Sequence, residues 1–342
     1  MDRYRILTLI IALALCISGC GNKKASDDKQ IVLTTGFEEG ELFFIGDKKC
    51  YVPEAKLYMR NLATNYEEVY GEDFLNITTG DTTVNDRLAS LALSRLAEVK
   101  AICLLAAERE ISLTDKEIEK CRQASDRYMG SLSKDDISDL GITDETLLGM
   151  YEDYALANKV YYDITDSINP EISDDEARII TVRRIRIDDT DDQNALVKAN
   201  EIYNRLSDGA DFDQLADEIG DGEQTLISFG KDTDEYPLNF VDACFELSTD
   251  EVSSPIVEDG GVSIVKCIST FDMEQTDAHK AQMVTRRKNE AFEDVYSVFV
   301  SDLYTGINSE LWEEEMHSSR MLDTDENFFS IYTDIFRVPG IS

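Results

Sequence analysis

The stretch ITVRRIRIDD, Ile180 to Asp189, reads as a β-strand, because Ile180 and Val182 alternate, then Ile185 and Ile187, with Arg183, Arg184 and Arg186 among them. Three arginines in one strand stand out in a chain with 33 basic and 70 acidic residues and a formal net charge of −37. Working outward, Asn169 and Pro170 break the preceding helical pattern, and Ser173 with Glu176 has capping-box spacing, so a domain boundary is expected near residue 170. After the strand come a helix (QNALVKANEIYNRLSDG), a shorter one (DFDQLADEIG), an irregular stretch, and the strands SSPIVED and GVSIVKCIST. Residues 169–271 thus read as an α+β module. The acidic run DDTDDQ from Asp188 lacks the turn glycine and distal glutamate of a calcium loop and reads as solvated.

Helical texture lies on both sides. Residues 31–168 begin with two predicted short strands, in QIVLTTGF and ELFFIGDKKCYV, around a glycine-containing turn. Pro53 suits a first helical turn, and Leu57, Met59, Leu62 and Tyr66 recur near helical spacing before Gly71. Further helices are predicted from Val84 to Glu110, from the Thr114/Glu117 capping box to Leu132, and from Thr143 to Ile168. Tyr151, Tyr154, Tyr161 and Tyr162 on the last of these suit interhelix packing, with a groove for apolar peptide segments as the alternative. Residues 272–342 are predicted helical from Glu274 past Trp312. The expected class is α+β: a mainly helical domain built from N- and C-terminal segments, with the α+β module inserted.

The first twenty residues differ from the rest. Arg3 and Arg5 precede the apolar run Ile6–Ser18, too short to span a bilayer comfortably, and ISGC ends at Cys20. The pattern resembles a bacterial lipoprotein signal, which implies cleavage before Cys20 and a lipid on its thiol; a simple secretory signal or short anchor is the alternative. At about 0.8 kcal/mol per buried CH₂, two or three acyl chains hold a soluble domain on a membrane. Residues 21–30 would then be a polar tether. Five further cysteines, Cys50, Cys103, Cys121, Cys244 and Cys267, have no metal-ligand spacing, and the histidines are His279 and His317, so neither a metal nor a cofactor is implied. The cysteines read as small buried apolar groups, a disulfide remaining open. The negative charge argues against nucleic acid or anionic lipid as partner of the body; it suits solubility, or a preference for basic or unfolded clients.

The α+β module resembles a parvulin-type peptidyl-prolyl isomerase domain over most of residues 172–271. The residues that carry the resemblance are the strand triplet Ile185–Ile187; Gly209, Phe212, Leu215 and Ala216; Phe240, Phe245 and Leu247; Ser254, Pro255 and Val257; and Gly261 and Lys266. With helices before and after the module and a lipid signal in front, the order of parts resembles extracytoplasmic foldases of the PrsA and SurA kind. The resemblance implies that Arg184 and Ser263 stand where the family has paired histidines, and Thr225 where it has an acidic residue or cysteine. It also implies a proline- or peptide-binding surface of Tyr236, Leu238, Phe240 and Phe245.

Prolyl isomerisation breaks no covalent bond; its barrier of about 20 kcal/mol falls when the amide loses double-bond character in a desolvated pocket. A guanidinium donates hydrogen bonds but cannot accept them, unlike a neutral imidazole. Binding is therefore expected to outlast catalysis. No G-x-S-x-G, H-E-x-x-H or phosphate loop is present. The expectation is a membrane-anchored chaperone or foldase on the outer face of the cytoplasmic membrane, acting on unfolded secreted polypeptides, with a degenerate isomerase-like module. An active isomerase with a rearranged site and a structural envelope lipoprotein are the alternatives.

Overall fold

The computed structural model describes residues 36–70, 74–75, 77–80, 82–168, 171–188, 192–219, 226–316 and 322–337. The expected signal, Cys20, the tether, Asn169, Pro170 and Thr225 lie outside the described residues. The chain divides into two compact units, Met1–Asp166 with Phe292–Ser342, and Ser167–Ala291. Among the described residues no helix is long and apolar enough to cross a membrane.

The described part of the first unit opens with β1 (Glu41–Ile45) and β2 (Lys48–Tyr51), an antiparallel hairpin turning at Gly46 within ELFFIGDKKCYV, while most of QIVLTTGF lies outside the described residues. Then follow α1 (Val52–Tyr70), the short pair β3 (Thr78–Thr79) and β4 (Thr82–Thr83), α2 (Val84–Glu108), α3 (Asp115–Ser131), α4 (Lys134–Leu140) and α5 (Asp144–Thr165). Capping boxes start three of these helices, at Thr83/Asp86, Thr114/Glu117 and Ser133/Asp136. In each, the N-cap hydroxyl and the N3 carboxylate satisfy backbone donors that the helix itself cannot.

The second unit holds β5 (Ile179–Asp188), α6 (Asp192–Ser207), α7 (Phe212–Ile219), β6 (Leu226–Gly230), α8 (Leu238–Phe245), β7 (Ile256–Glu258) and β8 (Gly261–Ser269). The sheet order is β6-β5-β8-β7, with all pairs antiparallel. Ile185, Ile187, Val262 and Ile264 face α6 and α7, while Ile180, Val182, Val265 and Ile256 pack with Phe240, Val241 and Phe245 of α8. Two elements of this unit, β6 and α8, occupy the stretch that the sequence pattern reads as irregular. The Ser173/Glu176 spacing caps a turn rather than a helix: Glu176 N donates to Ser173 Oγ at 3.1 Å.

From Met273 to Val300 runs α9, which begins in the second unit and ends in the first, so the unit boundary falls inside a helix and not at Phe271. The remainder is less continuously helical than predicted. It forms β9 (Thr305–Ile307), α10 (Ser309–Glu315) and α11 (Phe328–Phe336), all in the first unit. Strand β9 pairs with β1, and Gly306 lies opposite Phe44, where a Cβ would fall 2.5 Å from the ring. Helix α11 seats Phe328, which is 0% exposed, in the main core among Tyr58, Tyr128 and Tyr151. Tyr151 and Tyr154 thus serve interhelix packing.

A second core cluster joins α2, α5 and the end of α9 through Ile102, Val160, Phe292 and Tyr296. Glu98 is partly buried beside it. Burial pushes its carboxyl up to about 7, Arg95 opposing the rise and Glu293 adding to it. A carboxylate whose pKa is raised on folding penalises the fold when ionised. The penalty is present in full above pH 7 and disappears as the pH falls toward the unfolded value of 4.5. Glu98→Gln is therefore expected to stabilise the unit by about 1–2 kcal/mol at pH 8 and by close to nothing at pH 5. Urea unfolding at the two pH values, read from Trp312 fluorescence, measures the difference; an equal gain at both would refute the assignment. The five cysteines among the described residues are all buried and free.

Candidate functional site

Strand β5 is apolar toward α8 at Ile180 and Val182, and the same face then continues as Arg184 and Arg186. On β8 that face carries Ser263, Val265 and Cys267, and on β7 it carries Ile256 and Glu258. One end of the sheet face is therefore a dry core against α8, and the other end is polar. At the junction sits Arg184.

Its Nε donates to Ser263 Oγ at 2.8 Å, and its Nη2 lies 2.9 Å from both Glu258 oxygens. The guanidinium carbon stands 4.8 Å from the centre of the Phe240 ring and 5.8 Å from that of Tyr236. Burial makes the pair consequential: the Glu258 side chain is 2% exposed and that of Arg184 is 14%. Arg186 reaches the same carboxylate at 3.4 Å and donates to Asp188 at 2.5 Å and to the Asp259 carbonyl at 3.2 Å. Gly260, with φ +74°, turns β7 into β8, and a Cβ on Gly261 would meet the Ile187 carbonyl at 2.7 Å. The tight hairpin is what holds Glu258 over β5.

The structure brings Arg184, Ser263, Tyr236 and Phe240 together. Phe245 belongs to the same aromatic cluster through Phe229, 6.1 Å away, but its ring faces Arg178 at 5.0 Å. Leu238 points to solvent and is 72% exposed. Phe240 is 0% exposed, so it buttresses the site from beneath, whereas Tyr236 is half-buried and available at the surface. Burial is the main reason the Tyr236 hydroxyl is held above its ordinary pKa, with the neighbouring Glu235 carboxylate adding to it. Thr225 lies outside the described residues.

Glu258 was absent from the sequence expectations. Its signal was available: in PIVEDGG, Glu258 stands two residues after Ile256, on the inward face of a strand, where an acid needs a cation. The site can bind a carbonyl oxygen, because Arg184 Nη1 has no hydrogen-bond partner among the described residues. Arg184 itself can only donate, where a neutral imidazole would donate and accept, and the rest of its guanidinium is already engaged by Ser263 and Glu258.

The profile of the PPIC-type PPIASE domain, of the rotamase family, matches residues 180–269. Over 307 residues the chain is 22% identical to the foldase protein PrsA of Caldanaerobacter subterraneus, covering 87% of this chain and 94% of that protein. It is 39% identical over 83 residues to the chaperone SurA of Chromohalobacter salexigens, covering 23% of this chain and 19% of that one. A crystal structure of the Bacillus cereus peptidylprolyl isomerase PrsA aligns with 77% of this chain and 99% of its own, at 17% identity and a TM-score of 0.38. The chain thus carries a PPIC-type peptidyl-prolyl isomerase domain at residues 180–269 and has foldases of the PrsA and SurA kind as its homologues.

Proposed function

We propose that the protein is an extracytoplasmic chaperone or foldase for unfolded secreted polypeptides, tethered to the outer face of the cytoplasmic membrane by lipid on Cys20, and that its isomerase-type domain binds peptide while turning it over slowly. The observation that carries the reading is the alignment with a PrsA foldase along nearly the whole of both chains, with the domain match in the middle. The buried Arg184–Glu258–Ser263 cluster supports slow turnover. A carbonyl approaching Tyr236 meets a fixed charge that is held by three atoms and cannot exchange a proton.

The chain from Gly21 onward is expected to suppress aggregation of a reduced, unfolded client at equimolar ratio, and no suppression would sink the chaperone reading. In the same preparation, isomerisation of an X-Pro test peptide is expected to run close to the uncatalysed rate. Peptide-induced NMR shifts should nevertheless appear at Tyr236. Acceleration in the range of about 10²- to 10⁴-fold, the usual contribution of positioned proton-transfer groups, together with its loss in Tyr236→Ala, would make the domain an active isomerase instead.

A further inference from the structure

In the first unit, α3, α5 and α11 line an open cavity of about 270 Å³, whose lining includes Tyr162, Tyr332, Phe336, Glu117, Lys159 and Arg337. Its apolar part is aromatic: Tyr332 and Phe336 stack at 4.4 Å and 19°, and Tyr162 is 36% exposed at the mouth. The acid in the lining is already committed. Glu117 Oε2 accepts from Thr114 N at 2.7 Å, Thr114 Oγ1 at 2.8 Å and Lys159 Nζ at 2.7 Å. Arg337 is exposed and has no ion-pair partner among the described residues. It caps α11 in the left-handed region, with φ +52°, where glycine is the usual occupant. In a chain of net charge −37, an unpaired guanidinium beside an aromatic floor selects for a ligand that is anionic and apolar at once.

We propose that this cavity binds the C-terminal residue of an unfolded polypeptide, with an aromatic or branched aliphatic side chain against Tyr162 and Phe336 and the α-carboxylate on Arg337. The volume is below the roughly 300–1,000 Å³ of pockets that hold drug-sized ligands, so it suits one residue. At a chain terminus the carboxylate and the side chain diverge from the same Cα; an internal acid places its charge and the nearest apolar group on different residues. The inference rests on the chaperone reading, because it supplies a contact for such a client.

The test uses the chain from Gly21 onward and two fluorescein-labelled peptides, Gly-Ser-Gly-Leu-Phe as the free acid and as the amide, with fluorescence anisotropy as the readout. The acid is expected to bind about tenfold or more tightly than the amide, the usual scale for a hydrogen bond to a charged group. Arg337→Gln should abolish that preference by bringing the acid's affinity down to the amide's. Tyr162→Ser should weaken both peptides, with an unchanged far-UV circular dichroism spectrum for each variant. Equal affinity for acid and amide, a preference that survives Arg337→Gln, or binding unaffected by Tyr162→Ser would each overturn the proposal. A third peptide, Gly-Asp-Leu-Phe-Gly amide, binding as well as the free acid, would overturn the assignment to a chain terminus. Aggregation suppression is scored separately, so intact suppression without an acid preference removes only the cavity assignment.

Discussion

Lys100→Met lowers the unfolding free energy of the first unit by about 3–5 kcal/mol, the scale for removing one partner of a buried ion pair. Lys100 is 7% exposed, and its ammonium lies 2.6 Å from Glu54 and 2.9 Å from Asp153. Burial alone would pull the ammonium's pKa down, but the two carboxylates outweigh it and hold the group above its ordinary value. Methionine fills a similar volume, so the loss comes from charge and not from a cavity. It leaves Glu54, 5% exposed, without its cation. Asp153 keeps Lys48 at 3.6 Å. The double variant Lys100→Met/Glu54→Leu should therefore recover most of the loss, because the buried carboxylate goes with the ammonium. Trp312 is the chain's one tryptophan and packs on the main core of this unit, so its fluorescence in urea follows this unit and not the other. A loss under about 1 kcal/mol would place the trio with solvent-screened surface pairs.

Phe328→Ala is expected to cost about 3–5 kcal/mol, the usual range for a fully buried phenylalanine, and to release α11. The ring stacks on Tyr151 at 4.1 Å and meets Tyr58, Tyr128, Phe329 and Tyr154 within 6.2 Å. Its backbone is held as well: Phe328 N donates to Asn61 Oδ1 at 2.7 Å, and its carbonyl accepts from the Tyr151 hydroxyl at 3.1 Å. Asn61 Nδ2 in turn donates to the Tyr128 oxygen at 2.6 Å. Truncation leaves a void surrounded by rings fixed through these polar contacts, so the walls cannot close over it and the cost falls at the high end. Limited proteolysis should then cut between Leu322 and Asn327 well before it cuts the wild type. An unchanged urea midpoint together with unchanged protection of that segment would show that α11 contributes little to the core.

How much of this could be read beforehand depended on where each element finds its partners. The long helices announced themselves because their signals are local: Pro53 at the start of α1, and the Thr114/Glu117 box that begins α3. Helix α4 carries the same signal in Ser133 and Asp136, but its seven residues offer too little periodicity to count. Helix α8 is apolar on most of its circumference, and α-helical and buried-strand patterns converge in so short a run. Strand β9 has three residues with a glycine in the middle, and it is a strand because β1 lies beside it. At the site, the alternation along ITVRRIRID placed Arg184 on a strand, and its neighbour Ser263 came only from the resemblance to the isomerase family. The acid that gives the arginine its place, Glu258, is seventy-odd residues further on, across a hairpin, and a pairing at that separation leaves no periodic trace.

The seating of α11 and β9 also governs the order in which the protein can become itself as it is made. A chain made N-terminus first presents residues 36–166 long before Thr305–Ile307 and Phe328–Phe336, so β1 waits for its second neighbour and Tyr151 for Phe328. The Ser167–Ala291 unit has its whole sheet within one contiguous stretch and can close as soon as that stretch has emerged. Such long-range pairing slows folding and prolongs exposure of apolar surface. A chain built this way is for an interval an unfolded polypeptide itself, with Tyr58, Tyr128 and Tyr151 uncovered until its own last helix arrives.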